Sequence, residues 1–263
     1  MTTEALILDV DGTLADTEEA HRQSFNTAFE QMQLGWQWSA PTYRRLLAIT
    51  GGKERIAAFI EEAQLPPAQR KALLARVPEI HALKTHVYTS TAREGGIALR
   101  TGVERLLDEA RAAGLRLAIA STTTAANIDA LLQAAWGARG LELFDVIACG
   151  DQVRHKKPAP DIYQLAMDAL GLPPERCIAF EDSANGLASA RAAGLWTVVT
   201  PTYWTEGSDF RGAGLLLPHL GDVQQPIAGE PGGQLQRAAW LGVQELQALA
   251  CARDADRVQA LYH

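Results

Sequence analysis

Cysteine is scarce in this 263-residue chain. Cys149, Cys177 and Cys251 are the three present, widely spaced and odd in number. They make neither a metal-type spacing nor a disulfide framework, which excludes a zinc module or a stapled secreted fold and points to a reducing cytoplasm. Long apolar runs are also missing. Nothing approaches the length of a membrane span, and the N-terminus lacks a basic region followed by an apolar stretch. Positive charge is short too: 24 Lys and Arg against 31 Asp and Glu leave a net charge of -7. That balance argues against non-specific nucleic-acid binding, which needs a basic surface. There are no internal repeats and no low-complexity tract. What is present, 47% hydrophobic and 21% charged residues, describes a globular chain long enough for one large domain or one domain plus an insert.

The stretch with most chemical content is Asp9-Val10-Asp11-Gly12-Thr13. It follows the apolar run Ala5-Leu6-Ile7-Leu8, which reads as a buried parallel strand. Residues i and i+2 of an extended chain point the same way, so Asp9 and Asp11 share one side of the strand's carboxyl end. Two carboxylates there repel each other unless a cation lies between them or one is protonated. A solvated acidic turn is the alternative for an isolated Asp-x-Asp.

After the strand, Asp16 or Thr17 can cap a helix from Glu18 with the stripe Phe25, Ala28, Phe29 and Met32. The chain then reads as helical to about residue 90. From Ile97 onward helices alternate with strands: Leu115 to Ala120, Val146 to Ala148, Cys177 to Phe180, Trp196 to Thr200 and Leu215 to Leu217. Alternation of this kind implies a parallel sheet with right-handed crossovers. The fold class expected is α/β, a Rossmann-like core of residues 1–15 and 93–228 with an inserted α-helical cap of residues 16–92. Residues 229–263 read as a linker and a C-terminal helical extension, with Leu235, Ala238, Ala239, Leu246 and Leu249 as its apolar positions.

Four strand ends carry groups suited to phosphate chemistry. They are Asp9 and Asp11, then Ser121 with Thr122 and Thr123, then Lys157 before a proline-initiated helix, then Glu181-Asp182-Ser183. Singly, each is a helix cap or a solvated charge. Parallel strands bring all four to one sheet edge, where they converge.

In these four motifs, over residues 4 to 225, the chain resembles the haloacid dehalogenase superfamily of phosphohydrolases and phosphomutases. The resemblance implies that Asp9 is the nucleophile and Asp11 the acid and base, with Ser121 and Lys157 holding the transferring phosphoryl group. It implies a Mg²⁺ held by the Asp9 carboxylate, the Asp11 backbone carbonyl and Asp182, with Glu181 acting through water. To donate a proton near neutral pH, Asp11 must be kept protonated, in part by repulsion from Asp9.

Substrate choice falls to the helical insert. Gly51-Gly52 ahead of a helix can form a backbone nest for an anion, and Lys53 and Arg55 fall in that helix's first turn, where a cation is disfavoured unless an anion binds. A second, distal phosphate is expected there. Glu18 is placed to meet substrate hydroxyls or to start its helix, and His21 faces inward. Lys84, four residues before Tyr88, resembles the cap lysine of the β-phosphoglucomutase branch. The segments from Thr50 to Arg55, Ala82 to Thr85 and Gly96 to Arg100 resemble the CbbY-like branch of xylulose-1,5-bisphosphate phosphatases. That branch removes an inhibitory sugar bisphosphate formed during carbon fixation by Rubisco, and the product implied is xylulose 5-phosphate. The partner expected is a small sugar phosphate, with no nucleic acid, membrane or obligate protein partner. Competing functions are a β-phosphoglucomutase-like phosphomutase, a phosphoglycolate phosphatase and a non-catalytic scaffold. The last would lack one acid of the pair.

Overall fold

The computed structural model describes residues 2–227 and 239–250. Six parallel strands form one sheet: β1 (Ala5–Leu8), β2 (Arg116–Ala120), β3 (Val146–Ala148), β4 (Cys177–Glu181), β5 (Trp196–Val199) and β6 (Leu215–Leu216). They lie side by side in the order β3-β2-β1-β4-β5-β6. β1 is central, with Leu6 opposite Leu117 on one side and Ile178 on the other. Every residue of β1 and β4 is buried, as parallel strands covered on both faces must be. The strand order turns back between β1 and β4, so the crevice where open α/β sheets hold ligands lies beyond Leu8.

Five helices follow β1 before the chain returns to the sheet: α1 (Glu18–Gln31), α2 (Ala40–Leu46), α3 (Gly52–Glu62), α4 (Pro67–Ala75) and α5 (Val77–Arg93). They close around an apolar cluster of their own, including Phe25, Phe29, Trp38, Tyr43, Ile56 and Ile60. Burying one such side chain is worth about 1.5–3 kcal/mol, so the cluster favours packing of these helices on one another. Trp38 is fixed by Asn26, whose side chain bonds both its N–H (2.7 Å) and its carbonyl (3.1 Å).

The crossovers are α6 (Val103–Ala112), α7 (Ala125–Trp136), α8 (Arg139–Glu142), α9 (Asp161–Leu170) and α10 (Ala184–Ala192). α6 shows why they form where they do: Val103, Leu106, Leu107 and Ala110 repeat at helical spacing and are all buried. Short α8 has no counterpart in the sequence reading, because four residues are too few to show a period.

Residues 243–250 are helical and belong to the sheet's side of the molecule, with Leu241, Val243 and Leu246 buried in the core cluster that includes α6. Arg105 donates to the Leu241 carbonyl at 2.9 Å. These residues of the extension pack on the core. Leu235 and Ala238 lie outside the described residues. No helix among the described residues is long and apolar enough to cross a membrane.

Candidate active site

Asp9 follows β1 directly and stays in the ladder, its N–H donating to the Phe180 carbonyl at 3.0 Å. The chain then wraps over one acceptor: the N–H groups of Thr13 (3.2 Å) and Leu14 (3.0 Å) both bond the Val10 carbonyl. Gly12 makes that turn possible with φ +80°, and a Cβ there would run into the Asp182 carboxylate. Arg100, where the chain returns from the helical block, donates to the carbonyls of Gly12 (2.6 Å) and Pro201 (2.9 Å). It ties the turn to the loop after β5.

Lys157 unites the strand ends. Its Nζ donates to Asp9 Oδ1 at 2.7 Å and Glu181 Oε1 at 2.6 Å, and all three side chains are buried. Tyr163 OH donates to the same Glu181 oxygen at 2.5 Å. Asp9, Glu181 and Asp182 each offer a carboxylate oxygen within 4.8 Å of the others. Burial pushes Asp9 up to about 7 against the pull of Lys157, with Glu181 and Asp11 adding to the rise. Asp182 is raised well above its ordinary value by burial and then by Asp9 and Glu181. Glu181 Oε2 is buried without a partner. Three buried carboxylates beside one lysine, offering only hard oxygens, fit a divalent cation of the Mg²⁺ type.

Asp11 behaves differently. Thr17 donates to its Oδ1 at 2.7 Å and His21 Nε2 lies 2.9 Å from the same oxygen. Burial alone would raise its pKa; a charge on His21, the His21 and Thr17 bonds and the Lys84 charge oppose that and lower it. The bonds from Thr17 and His21 favour the charged form of Asp11, where repulsion from Asp9 favours the protonated one. As a cap, Thr17 is corrected: it stands at the α1 N-cap position, but its side chain makes no capping bond because the hydroxyl serves Asp11. Lys84 Nζ lies 2.6 Å from His21 Nδ1, which makes Nδ1 the acceptor and Nε2–H the donor toward Asp11. Burial lowers Lys84 to about 7, with Asp11 opposing and Arg55 reinforcing the shift. Tyr88 stacks on the His21 ring at 4.0 Å.

A cavity of about 120 Å³ lies between the strand ends and the helical block. It brings together Asp9, Asp11, Ser121, Thr122, Lys157 and Asp182 from the sheet side. From the helical side come Glu18, His21, Gly51, Gly52, Lys53, Arg55 and Lys84. Among the residues expected in the site, Glu181 alone is not on the cavity wall; it is 1% exposed and acts behind Lys157. Gly51 is the N-cap of α3 with φ 98°. The cations of that turn already have neighbours. Lys53 lies 3.7 Å from Asp151, and Arg55 donates to the carbonyls of Leu46 (3.2 Å) and Ile49 (3.3 Å) and to Tyr43 OH (3.2 Å). Tyr43 in turn donates to Glu18 at 2.6 Å, so Glu18 is oriented within the cavity wall.

Several site residues were not legible beforehand. Thr17, Tyr43 and Tyr163 reach the site through tertiary contacts, and no local spacing marks them; Arg100 was marked only as the end of the Gly96 to Arg100 segment, with no role given to it. Lys156 had a signal, being adjacent to Lys157: its Nζ crosses to Glu54 of α3 at 2.7 Å. Asn185 had one also, two residues after the Asp182-Ser183 pair, and bonds the Ala48 carbonyl at 2.9 Å.

Known proteins match this arrangement. A family model for haloacid dehalogenase-like hydrolases matches residues 3–194. Protein CbbY of Rhodobacter capsulatus is 51% identical over 220 residues, covering 84% of this chain and 95% of that protein. The plasmid-borne CbbY of Cupriavidus necator is 47% identical over 245 residues, 93% of this chain and 96% of that protein. A crystal structure of a CbbY variant from Rhodobacter sphaeroides in complex with xylulose-(1,5)bisphosphate has a TM-score of 0.77 at 46% identity, covering 85% of this chain and 98% of that one.

Proposed function

Since this chain belongs to the haloacid dehalogenase-like hydrolases, and within them to the CbbY-like branch, we propose that it is a Mg²⁺-dependent phosphatase converting xylulose 1,5-bisphosphate to xylulose 5-phosphate. The broader activity, a sugar-phosphate phosphatase of this hydrolase family, rests on the identities above and on the bisphosphate held by the relative. In the carbon-fixing setting of that branch, the reaction would clear an inhibitor of Rubisco. The observation that carries the proposal is the buried Asp9, clamped by the lysine it shares with Glu181 and open to the cavity.

In the mechanism, Asp9 attacks phosphorus in line, forming a bond to one carboxylate oxygen as the ester bond to the sugar breaks. Lys157 and Ser121 hold the phosphoryl oxygens, and Lys157 offsets their charge. Asp11, bonded by Thr17 and His21 at one carboxylate oxygen, is set to take a proton from the water that cleaves the acyl phosphate. Its earlier task, protonating the leaving alkoxide, requires one proton taken up first, and the Lys84–His21 pair reaches the bonded oxygen. Mg²⁺ on the Asp9 and Asp182 carboxylates and the Asp11 carbonyl, with Glu181 behind, would neutralise phosphoryl charge. Residues 16–92 act as the cap, with Gly51, Gly52, Lys53 and Arg55 receiving the distal phosphate and Glu18, His21, Lys84 and Thr122 lining the sugar's path.

A phosphate-release screen over sugar mono- and bisphosphates with Mg²⁺ tests this. Xylulose 1,5-bisphosphate should lead, ahead of phosphoglycolate. The second reading, a phosphomutase, has one observation in its favour, the bonded Lys84–His21–Asp11 series at the cap lysine of that branch. Conversion of β-glucose 1-phosphate without net phosphate release would support it and sink the phosphatase proposal.

A further inference from the structure

Trp204, in the loop after β5, crosses the seam between the sheet and the helical block. It is half-buried and packs against the apolar cluster of the helices. Its ring stands edge-on to Tyr43 of α2, with centroids 5.5 Å apart and planes at 89°. Tyr43 also has Phe25 and Trp38 as aromatic neighbours, both from the helical block. The loop holds Trp204 by its own bonds: the Thr202 carbonyl accepts from the N–H groups of Thr205 (3.1 Å) and Glu206 (2.8 Å), and Arg100 anchors Pro201. Around this contact the seam is open. A cavity of about 400 Å³ is lined by Thr17, Glu18 and Glu19 on one side and by Thr202, Tyr203 and Trp204 on the other. The adjacent tie, from Arg44 to the Glu206 carbonyl at 2.6 Å, is exposed.

Tyr43 gives this contact its chemical content. The ring is fully buried, and its hydroxyl joins two groups of the active-site wall: it donates to Glu18 at 2.6 Å and accepts from Arg55 at 3.2 Å. The Arg55 guanidinium also lies over the ring, 5.2 Å from its centroid. A tyrosine ring turns about two bonds, so the place of its hydroxyl depends on what packs against the ring. Phe25 and Trp38 supply that packing from within the helical block, and Trp204 supplies it from the other half of the molecule. We propose that Trp204 is a positioning residue. By docking on Tyr43 it fixes the hydroxyl that aligns Glu18 and Arg55, so the two are in order only when the sheet-side loop and the helical block are together. Trp204 touches no reacting atom, and the chemistry at Asp9 goes on without its help. The proposal deepens the sugar-phosphate function above and rests on it.

The test is a double-mutant cycle between the loop and the hydroxyl it is said to place. Trp204→Leu removes the ring and keeps apolar bulk, Trp204→Phe keeps a ring, and Tyr43→Phe removes only the hydroxyl. Each is assayed with the sugar phosphate that the wild-type protein turns over best and with acetyl phosphate, and thermal unfolding checks the fold. Trp204→Leu should raise KM for the sugar phosphate about three- to tenfold, the usual worth of an aromatic pair, with kcat changed less than about twofold. Hydrolysis of acetyl phosphate should stay within about twofold, and Trp204→Phe should restore most of the lost affinity. In the Tyr43→Phe background, Trp204→Leu should raise KM by no more than about twofold, because the hydroxyl it would misplace is gone. The full rise in that background, an unchanged KM, an equal loss on acetyl phosphate, or a Trp204→Leu protein that fails to fold overturns the assignment. Failure of the wild-type protein to release phosphate from any sugar phosphate overturns the broader function, and this assignment with it.

Discussion

The two walls of the cavity are built on different principles. On the sheet side, Lys157 bonds two carboxylates at once, and both it and Asp9 are buried. Where the helical block meets the sheet side at α3, the contacts are between more exposed groups, although Lys84 and His21 deeper on the helical side are buried: Lys53 faces Asp151 at 3.7 Å with 44% and 58% of the side chains exposed. Lys156 meets Glu54 at 2.7 Å with 19% and 46% exposed. Buried charges are expensive to uncouple and therefore fixed; exposed pairs are weak and can be exchanged for a ligand. The first wall suits chemistry that must happen the same way each time. The second suits a surface that opens, admits an anion and closes.

Substitutions on the two walls should therefore differ in size and kind. The largest effect belongs to Asp9→Asn, which removes the proposed nucleophile: phosphate release should fall by about 10⁴-fold or more while the fold survives. Full activity in that variant would end the mechanism. Next is Lys157→Met. It leaves Asp9 and Glu181 buried without their cation and should cost about 3–5 kcal/mol in denaturant unfolding. The cost should shrink when Mg²⁺ is added, since a cation on the same carboxylates replaces part of the lost charge. An equal loss with and without Mg²⁺ would argue that the acidic cluster is no metal site.

A third, smaller effect depends on pH. His81 packs against Gly52, so that a Cβ on that glycine would meet its ring. Burial lowers His81 to about 4, with Lys84, Lys53 and Lys156 pushing the same way and Asp151 opposing. The unfolded chain, with an ordinary value near 6.5, binds the proton that the folded chain refuses. The neutral ring's contribution is therefore complete above about 6.5 and is lost as pH falls toward 4, at most about 3 kcal/mol. His81→Gln should flatten the stability profile over that window; an unchanged profile would place the titration elsewhere.

Smaller again is Arg55→Ala, expected to raise KM about tenfold for a bisphosphate and less for a small phosphate ester, as a distal anion site requires. At the bottom of the scale, Glu54→Gln breaks an exposed pair and should change stability by less than about 1 kcal/mol. A larger loss would mean that the second wall is as fixed as the first.

The same contrast explains what could be read from the chain alone. Asp9, Asp11, Ser121 and Asp182 sit at strand ends, where a local apolar run and the parallel topology together dictate position, while Lys157 lies in the loop between β3 and α9 and was marked by the proline that follows it. The six strands and the helical insert follow from period and punctuation, and the family's motifs fall on them. The protonation of Asp11 did not follow, because it is set by Thr17, His21 and Lys84, which converge from α1 and α5. Tyr43 and Tyr163 were invisible for a related reason: a tyrosine at helical spacing reads as core, and only the fold aims its hydroxyl at Glu18 or Glu181. The Gly51–Arg55 turn could be located, but its cations' neighbours, Asp151 and the Leu46 and Ile49 carbonyls, could not.

The most direct measurement is ³¹P NMR of the wild-type protein with xylulose 1,5-bisphosphate and Mg²⁺. One equivalent of inorganic phosphate should appear while the signal of the 5-phosphate persists, because one phosphate reacts at Asp9 and the other is held at the cap. Loss of both signals together, or no phosphate release at all, would contradict the division of labour between the two walls.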